Sequence, residues 1–308
     1  MDTALRLGAW KGEPSITLVA GERDATFLPG CGMVCASLRH RGDEYVAWPR
    51  PLAQLRAGRM TAVPLAHPWG NRLGRRSYRV GRRRVDLRGI DLPTDANGLP
   101  LHGNLRGAPF DIVHADAGPR GARLVARLDY GARPDLLRAF PFPHLVTIEA
   151  RLDEHGLRLT TDIEPTGRTA VPISFCWHPY LQVPGAPRRD WILRWPGCEH
   201  VLVDERVLPT GAVVGQPAQR ASLGTRTFDD HYALGTDRRF SLASGHRTIE
   251  LRFGPTYPFA QLRVPARGNF AAIEPMTATI DALGNGSVPS VAPGDRFRAW
   301  FTIAGTGK

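Results

Sequence analysis

The sequence predicts an all-β fold, one large antiparallel β-sandwich running over residues 1–308, and three observations predict it. Apolar and polar residues alternate at period two in segment after segment, the signature of half-buried strands. Glycine (33) and proline (27) interrupt nearly every stretch long enough for an amphipathic helix. No alternation of strands with helices, no linker and no composition break divides the chain, which argues against a βαβ fold and against two domains. No repeat of 20 to 50 residues suggests a propeller or solenoid.

In chain order, "NRLGRRSYRVGRRRVDLR" (71–88) alternates Tyr78 and Val80 with arginines, turns at Gly81 and resumes with Val85 and Leu87. This is a hairpin with a basic, solvated outer face. In "ARLVARLDY" Leu124, Ala126, Leu128 and Tyr130 share one face, and in "GLRLTTDIE" Leu157, Leu159, Thr161 and Ile163 do the same. "ISFCW" (173–177) reads as a core strand stopped by Pro179, with Trp177 in the core. "TIELRF" aligns Ile249, Leu251 and Phe253, and "DRFRAWFTI" aligns Phe297, Ala299, Phe301 and Ile303. Between the strands, "AVPLAHPWGNR" and "GLPLHGNLRGAPF" read as loops that carry reactive side chains.

Composition narrows the function. With 42% hydrophobic and 22% charged residues the chain is of the globular class. The N-terminal "MDTALRLGAWKGEPSITLVAG" lacks the order of a signal peptide, and no apolar run reaches the roughly 18 residues that span a bilayer, so a cytoplasmic protein with no membrane partner is expected. The net charge of +11 raises a nucleic-acid reading, but only Lys11 and Lys308 are lysines among 40 basic residues. That bias matches an arginine-rich codon preference better than a phosphate-binding tail, and no nucleic-acid partner is expected. Cys31, Cys35, Cys176 and Cys198 are too sparse for a disulfide scaffold and lack the second pair of a zinc site, so buried thiols and no metal are expected.

The chain has no Gly-x-x-x-x-Gly-Lys loop, no Gly-x-Gly-x-x-Gly before a helix and no Gly-x-Ser-x-Gly elbow. It does carry five short motifs: "HPWGNRL" (67–73), "LHGNLR" (101–106), "FCWHPYL" (175–181), "FDDHYAL" (228–234) and "AIEPMTA" (272–278). Two residues stand out locally. Glu274 follows the apolar "NFAAI" and precedes Pro275, which sets a carboxylate at the end of a buried strand, where it must be hydrogen-bonded or used. His178 ends a core strand in the same way.

Taken in order, Asn71-Arg72, His102-Gly103, His178-Pro179-Tyr180, Asp230-His231 and Glu274 resemble the aldose 1-epimerase (galactose mutarotase-like) family, from near Gly30 to the C-terminus. Trp177 before the central histidine and Pro179-Tyr180-Leu181 after it mark a divergent branch. The resemblance implies a galactose mutarotase-like supersandwich that interconverts the α and β anomers of a free aldose, a small-molecule sugar, with no cofactor. It implies Glu274 as general base and His178 as general acid on opposite sides of the sugar ring. Arg72 and His102 would donate hydrogen bonds to the ring oxygen or neighbouring hydroxyls, and Asp230 would accept from sugar hydroxyls. Asn71 and Tyr180 would complete the substrate site, Tyr180 along the cleft wall. A hexose-6-phosphate 1-epimerase, suggested by the arginine cluster, and a non-catalytic carbohydrate-binding module on the same fold are the alternatives. No oligomeric state is assigned.

Overall fold

A computed structural model describes residues 2–307. Strands dominate it, and among the described residues α-helix is confined to the four-residue segments Ala53–Arg56, Pro134–Leu137 and Ala282–Asn285. Every ladder between named strands is antiparallel, as expected where tight turns rather than crossover helices join them.

The N-terminal strands Thr3–Trp10, Glu13–Ala20, Arg23–Leu28, Val34–His40 and Asp43–Glu44 form a sequential five-stranded sheet. A nine-stranded sheet is built around the neighbours Arg247–Phe253, Phe297–Thr306, Gly156–Pro165, His144–Asp153 and Gly121–Asp129. An eight-stranded sheet runs Pro209–Gln216, Cys198–Val203, Phe228–Leu234, Phe259–Val264, Ala271–Met276, Cys176–Trp177 and Leu65–Ala66, with Tyr180–Leu181 also paired to Ala271–Met276. Ser77–Val80 and Arg83–Asp86 form the separate hairpin, with Tyr78 and Val85 buried beneath its arginines.

The period-two faces point inward as the alternation requires. Leu124, Ala126, Leu128 and Tyr130 are buried, as are Leu157, Leu159, Thr161 and Ile163, and Leu159 lies opposite Phe301 in the register. The nine- and eight-stranded sheets meet there. Trp177 is fully buried, packs on Phe301 with ring centroids 5.8 Å apart, and donates its Nε1–H to Thr161 Oγ1 at 3.0 Å. The indole thereby buries its large apolar area without leaving its one donor unpaired. All four cysteines are free and buried.

One expectation is corrected. Glu274 does not end a strand but sits within Ala271–Met276. Pro275 is tolerated there because the ladder beside it is interrupted: Cys176 pairs with Met276 and Tyr180–Leu181 with Ala271 and Ala272, and between them only the Ile273 N–H reaches across, to the Pro179 carbonyl at 3.4 Å. Each strand has a proline at the break, and neither needs the N–H it lacks.

Candidate active site

That interruption creates the site. Tyr180 pairs with Ala272, Leu181 with Ala271 and Cys176 with Met276, so the same register carried inward sets His178 opposite Glu274. On its other side Glu274 pairs with Gln261, and Gln261 with His231. Cross-strand partners share a face, so His178, Glu274, Gln261 and His231 form one row across the sheet. Two residues along, Tyr180, Ala272, Arg263 and Asp229 form a second. His178, Glu274 and Gln261 of the first row and Tyr180, Arg263 and Asp229 of the second floor a cleft of about 730 Å³, walled by residues 57–60, by 93–96 and by Asn71, Arg72, Leu101 and His102.

His178 Nε2 lies 3.0 Å from Glu274 Oε1, and the two residues are 3% and 1% exposed. Glu274 and His178 were expected on opposite sides of a sugar ring; instead the two side chains touch. Burial, reinforced by His102, Arg263 and Arg50, pushes the His178 ring well below its ordinary pKa. Burial and Asp229 push the Glu274 carboxyl well above its own, against the pull of Arg263 and Arg72. Both shifts disfavour a net charge on the pair, which therefore holds one shared proton around neutrality. Tyr180 stacks on His178 with ring centroids 4.4 Å apart, its hydroxyl 3.4 Å from the same Nε2.

The two motif loops clasp one another over this floor. His67 bridges Gly103, Arg72 bridges Leu101, and the His67 carbonyl accepts from the N–H groups of Asn104 and Leu105, each at 3.2 Å. Beneath the clasp His144 Nδ1–H donates to the Phe142 carbonyl at 2.6 Å, which leaves its Nε2 bare. His67 Nε2–H then donates to that nitrogen at 2.7 Å. Asn71 and His102 both adopt left-handed backbone, φ 53° and 57°, as local strain held by the surrounding loops. The Asn71 N–H donates to His102 Nδ1 at 3.2 Å, so the proton of the neutral ring resides on Nε2. Burial first, then Arg72 and Arg263, lowers the His102 pKa to about 3. His102 is thus a neutral hydrogen-bond donor around pH 7.

Arg72 is not a member of the solvated hairpin face. Its Nε donates to Asp95 Oδ2 at 2.7 Å and its Nη1 to Asn71 Oδ1 at 2.8 Å, and the Arg72 and Asp95 side chains are 14% and 5% exposed. Burial alone would raise the Asp95 carboxyl, but Arg72 and the N–H groups of Leu99 and Asn97 outweigh it and hold the carboxyl below its usual range.

Of the residues singled out in the sequence, Asn71, Arg72, His102, His178, Tyr180 and Glu274 line the cleft together. Asp230 does not. It is one residue out of phase with Asp229, so it faces the other side of the sheet, accepting from Tyr232 Oη at 3.2 Å with His200 Nε2 3.6 Å away. Asp229 takes its place in the cleft, where Gln261 Nε2 (2.8 Å) and Arg263 Nη1 (2.6 Å) donate to its two oxygens. Sequence reasoning missed Asp229, Gln261 and Arg263. Two consecutive aspartates in a strand point to opposite faces, and only the register tells which faces the cleft. No group of three or more His, Cys, Asp or Glu side chains among the described residues is arranged to hold a metal ion, and no helix there is long and apolar enough to cross a membrane.

The family model for aldose 1-epimerase matches residues 63–304. No curated protein matches. Among solved structures, a galactose mutarotase-like protein from Clostridium acetobutylicum is similar over 100% of this chain and 99% of its own, with TM-score 0.89 at 15% identity. A galactose 1-epimerase from Lactobacillus acidophilus NCFM covers 99% of each chain, with TM-score 0.78 at 13% identity. A putative aldose 1-epimerase from Escherichia coli K12 covers 99% of this chain and 100% of its own, with TM-score 0.74 at 16% identity. At these identities the likeness establishes the fold.

Proposed function

The chain belongs to the aldose 1-epimerase family, and from that premise we propose that it interconverts the anomers of an aldose with a free hemiacetal, using Glu274 and His178 as base and acid. The observation that carries this reading is the 3.0 Å contact between His178 Nε2 and Glu274 Oε1 on the floor of an open cleft. The anomeric hydroxyl oxygen and the ring oxygen are bonded to the same carbon, so an acid and a base side by side address both at once. A substrate enters by replacing their mutual hydrogen bond with its own.

Burial of both groups rests the shared proton on Glu274; once it passes across the 3.0 Å contact to His178, the Glu274 carboxylate removes the anomeric hydroxyl proton as the C1 carbonyl forms. The bond from C1 to the ring oxygen breaks, and that oxygen takes the proton from His178 Nε2. The open-chain aldehyde then turns about C1–C2. On closure Glu274 returns its proton to the carbonyl oxygen while His178 accepts the proton of the attacking hydroxyl, so the pair ends as it began. His102, neutral with Nε2–H free to donate, and Arg72 steady the oxygen that gains negative charge. Asp229 supplies the acceptor for sugar hydroxyls that the sequence had assigned to Asp230.

Anomer exchange followed by NMR across a panel of aldoses tests this, with Glu274→Gln alongside wild type. The amide preserves shape and removes the base, and the rate is expected to fall by at least about 10² while sugar affinity changes little. A variant with wild-type turnover per folded molecule overturns the base assignment. Sugar binding without any acceleration by the wild-type protein would make the chain a carbohydrate-binding module.

A further inference from the structure

We propose that the substrate carries an anionic group on C6, a phosphate or a carboxylate, held by Arg50 and Arg59. This deepens the anomerase reading and rests on it. Four arginines line the cleft: Arg50, Arg59, Arg72 and Arg263. Two are neutralised in place, Arg72 by Asp95 at 2.7 Å and Arg263 by Asp229 at 2.6 Å. Among the described residues no carboxylate forms an ion pair with Arg50 or Arg59, and the remaining acid of the cleft, Glu274, shares its proton with His178. The cleft therefore has two cationic forks in excess.

Their placement says where on the sugar the counter-charge belongs. In a pyranose the ring oxygen links C1 to C5, and C5 carries C6. Glu274 addresses the oxygen on C1 and His178 the ring oxygen. The Tyr180 hydroxyl follows, 3.4 Å from His178 Nε2, and Arg50 lies beside that hydroxyl. The order Glu274, His178, Tyr180, Arg50 matches the order anomeric oxygen, ring oxygen, C5, C6 substituent. Arg50 directs one N–H to the Met60 carbonyl at 3.2 Å and another toward the Tyr180 hydroxyl, and keeps the rest of its five donors. Arg59 is exposed on the adjoining turn. Gly58, at φ +80°, seats that turn against the opposite wall, because a Cβ there would lie 2.3 Å from Pro93 Cγ. A guanidinium fork gains most from a planar carboxylate or a phosphate and little from a neutral hydroxymethyl group.

Calorimetric titration with glucose, glucose 6-phosphate and glucuronate, in low and in physiological salt, tests the subsite. At least one of the two anionic sugars is expected to bind tenfold or more tighter than glucose, with a gap that narrows as salt is added. Whichever of them binds tighter identifies phosphate or carboxylate as the group. Arg50→Ala and Arg59→Ala are each expected to shrink the gap several-fold; Arg59, being exposed, gives a variant whose folding is not at issue. Equal or weaker binding of both anionic sugars, or a gap unchanged in both variants, overturns the proposal. Anomer exchange on the same samples separates the two readings: failure to accelerate any of the three sugars sinks the anomerase assignment, while the binding ratios still decide the subsite.

Discussion

At the scale of the residue, the site depends on groups forced by burial away from their solution behaviour. In the proposed reaction the His178–Glu274 pair works with one proton. Adding a second is resisted because burial, His102, Arg263 and Arg50 all lower His178. Removing the only one is resisted because burial and Asp229 raise Glu274. An ordinary solvated histidine acid would lose its proton near pH 6.5 and take activity with it. Here kcat/KM is expected to hold its plateau as pH rises through and beyond the ordinary histidine value; a decline centred near that value, measured by anomer exchange across pH, would show that the proton is not shared. Arg72 yields a second prediction. Taken as a surface arginine it is dispensable to folding, but its removal strands the buried Asp95 carboxylate with only the N–H groups of Asn97 and Leu99. Arg72→Ala is expected to cost about 1–3 kcal/mol of stability as well as activity. Thermal unfolding checks it, and an unchanged Tm would return Arg72 to a purely substrate-facing role.

At the scale of the element, the geometry of the cleft rests on two strands that pair on either side of a gap and two loops that clasp above it. Gly103 lies at the tightest point of the clasp, where an added Cβ would be 2.1 Å from the His67 carbonyl oxygen and the backbone is left-handed at φ +67°. Gly98, in the same loop region, has φ +72° and nothing within 4 Å. Gly98→Ala therefore carries backbone strain alone, about 1 kcal/mol. Gly103→Ala carries strain plus a clash with main chain that cannot rotate away, and is expected to cost distinctly more. Because Gly103 adjoins His102, its kcat/KM should also fall further than the folded fraction does. Equal melting temperatures and equal activities for the two variants would show that the clasp does not position His102.

At the scale of the whole molecule, the described structure holds a set of histidines neutral, with His67, His144, His178 and His231 buried and His102 half-buried in the cleft wall. His102 falls to about 3, His144 and His231 to about 4, and His67 and His178 well below the ordinary value, in each case chiefly through burial. A folded pKa below the unfolded value of about 6.5 means that the unfolded chain binds protons the folded chain refuses. That stability is intact above pH 6.5 and is lost as pH falls toward 4, at up to about 1.4 kcal/mol per pH unit for each histidine. The raised carboxyls of Glu274, Asp24, Asp230 and Asp281 act with the opposite sign, while the lowered His40 and the lowered carboxyls of Asp86, Asp91, Asp95 and Asp135 act with the five. Denaturant unfolding between pH 7 and 5 is expected to show stability falling with acid, and stability that is flat or rises would contradict the neutral-histidine interior.

The strands were legible in the sequence because alternation is local: whether Leu124, Ala126 and Leu128 share a face follows from the backbone geometry of one segment. Two residues of the candidate site were legible as well, since an isolated glutamate after "NFAAI" and a histidine after "ISFCW" are polar groups that a core must satisfy or use. Which groups meet was not. That His178 stands across from Glu274, that Asp229 rather than Asp230 enters the cleft, and that Arg72 is paired with Asp95 all follow from register and loop packing between segments distant in the chain. A shift of one residue in a ladder reverses every side chain on a strand, and that choice is made by hydrogen bonds and packing across the whole sheet rather than by any segment alone.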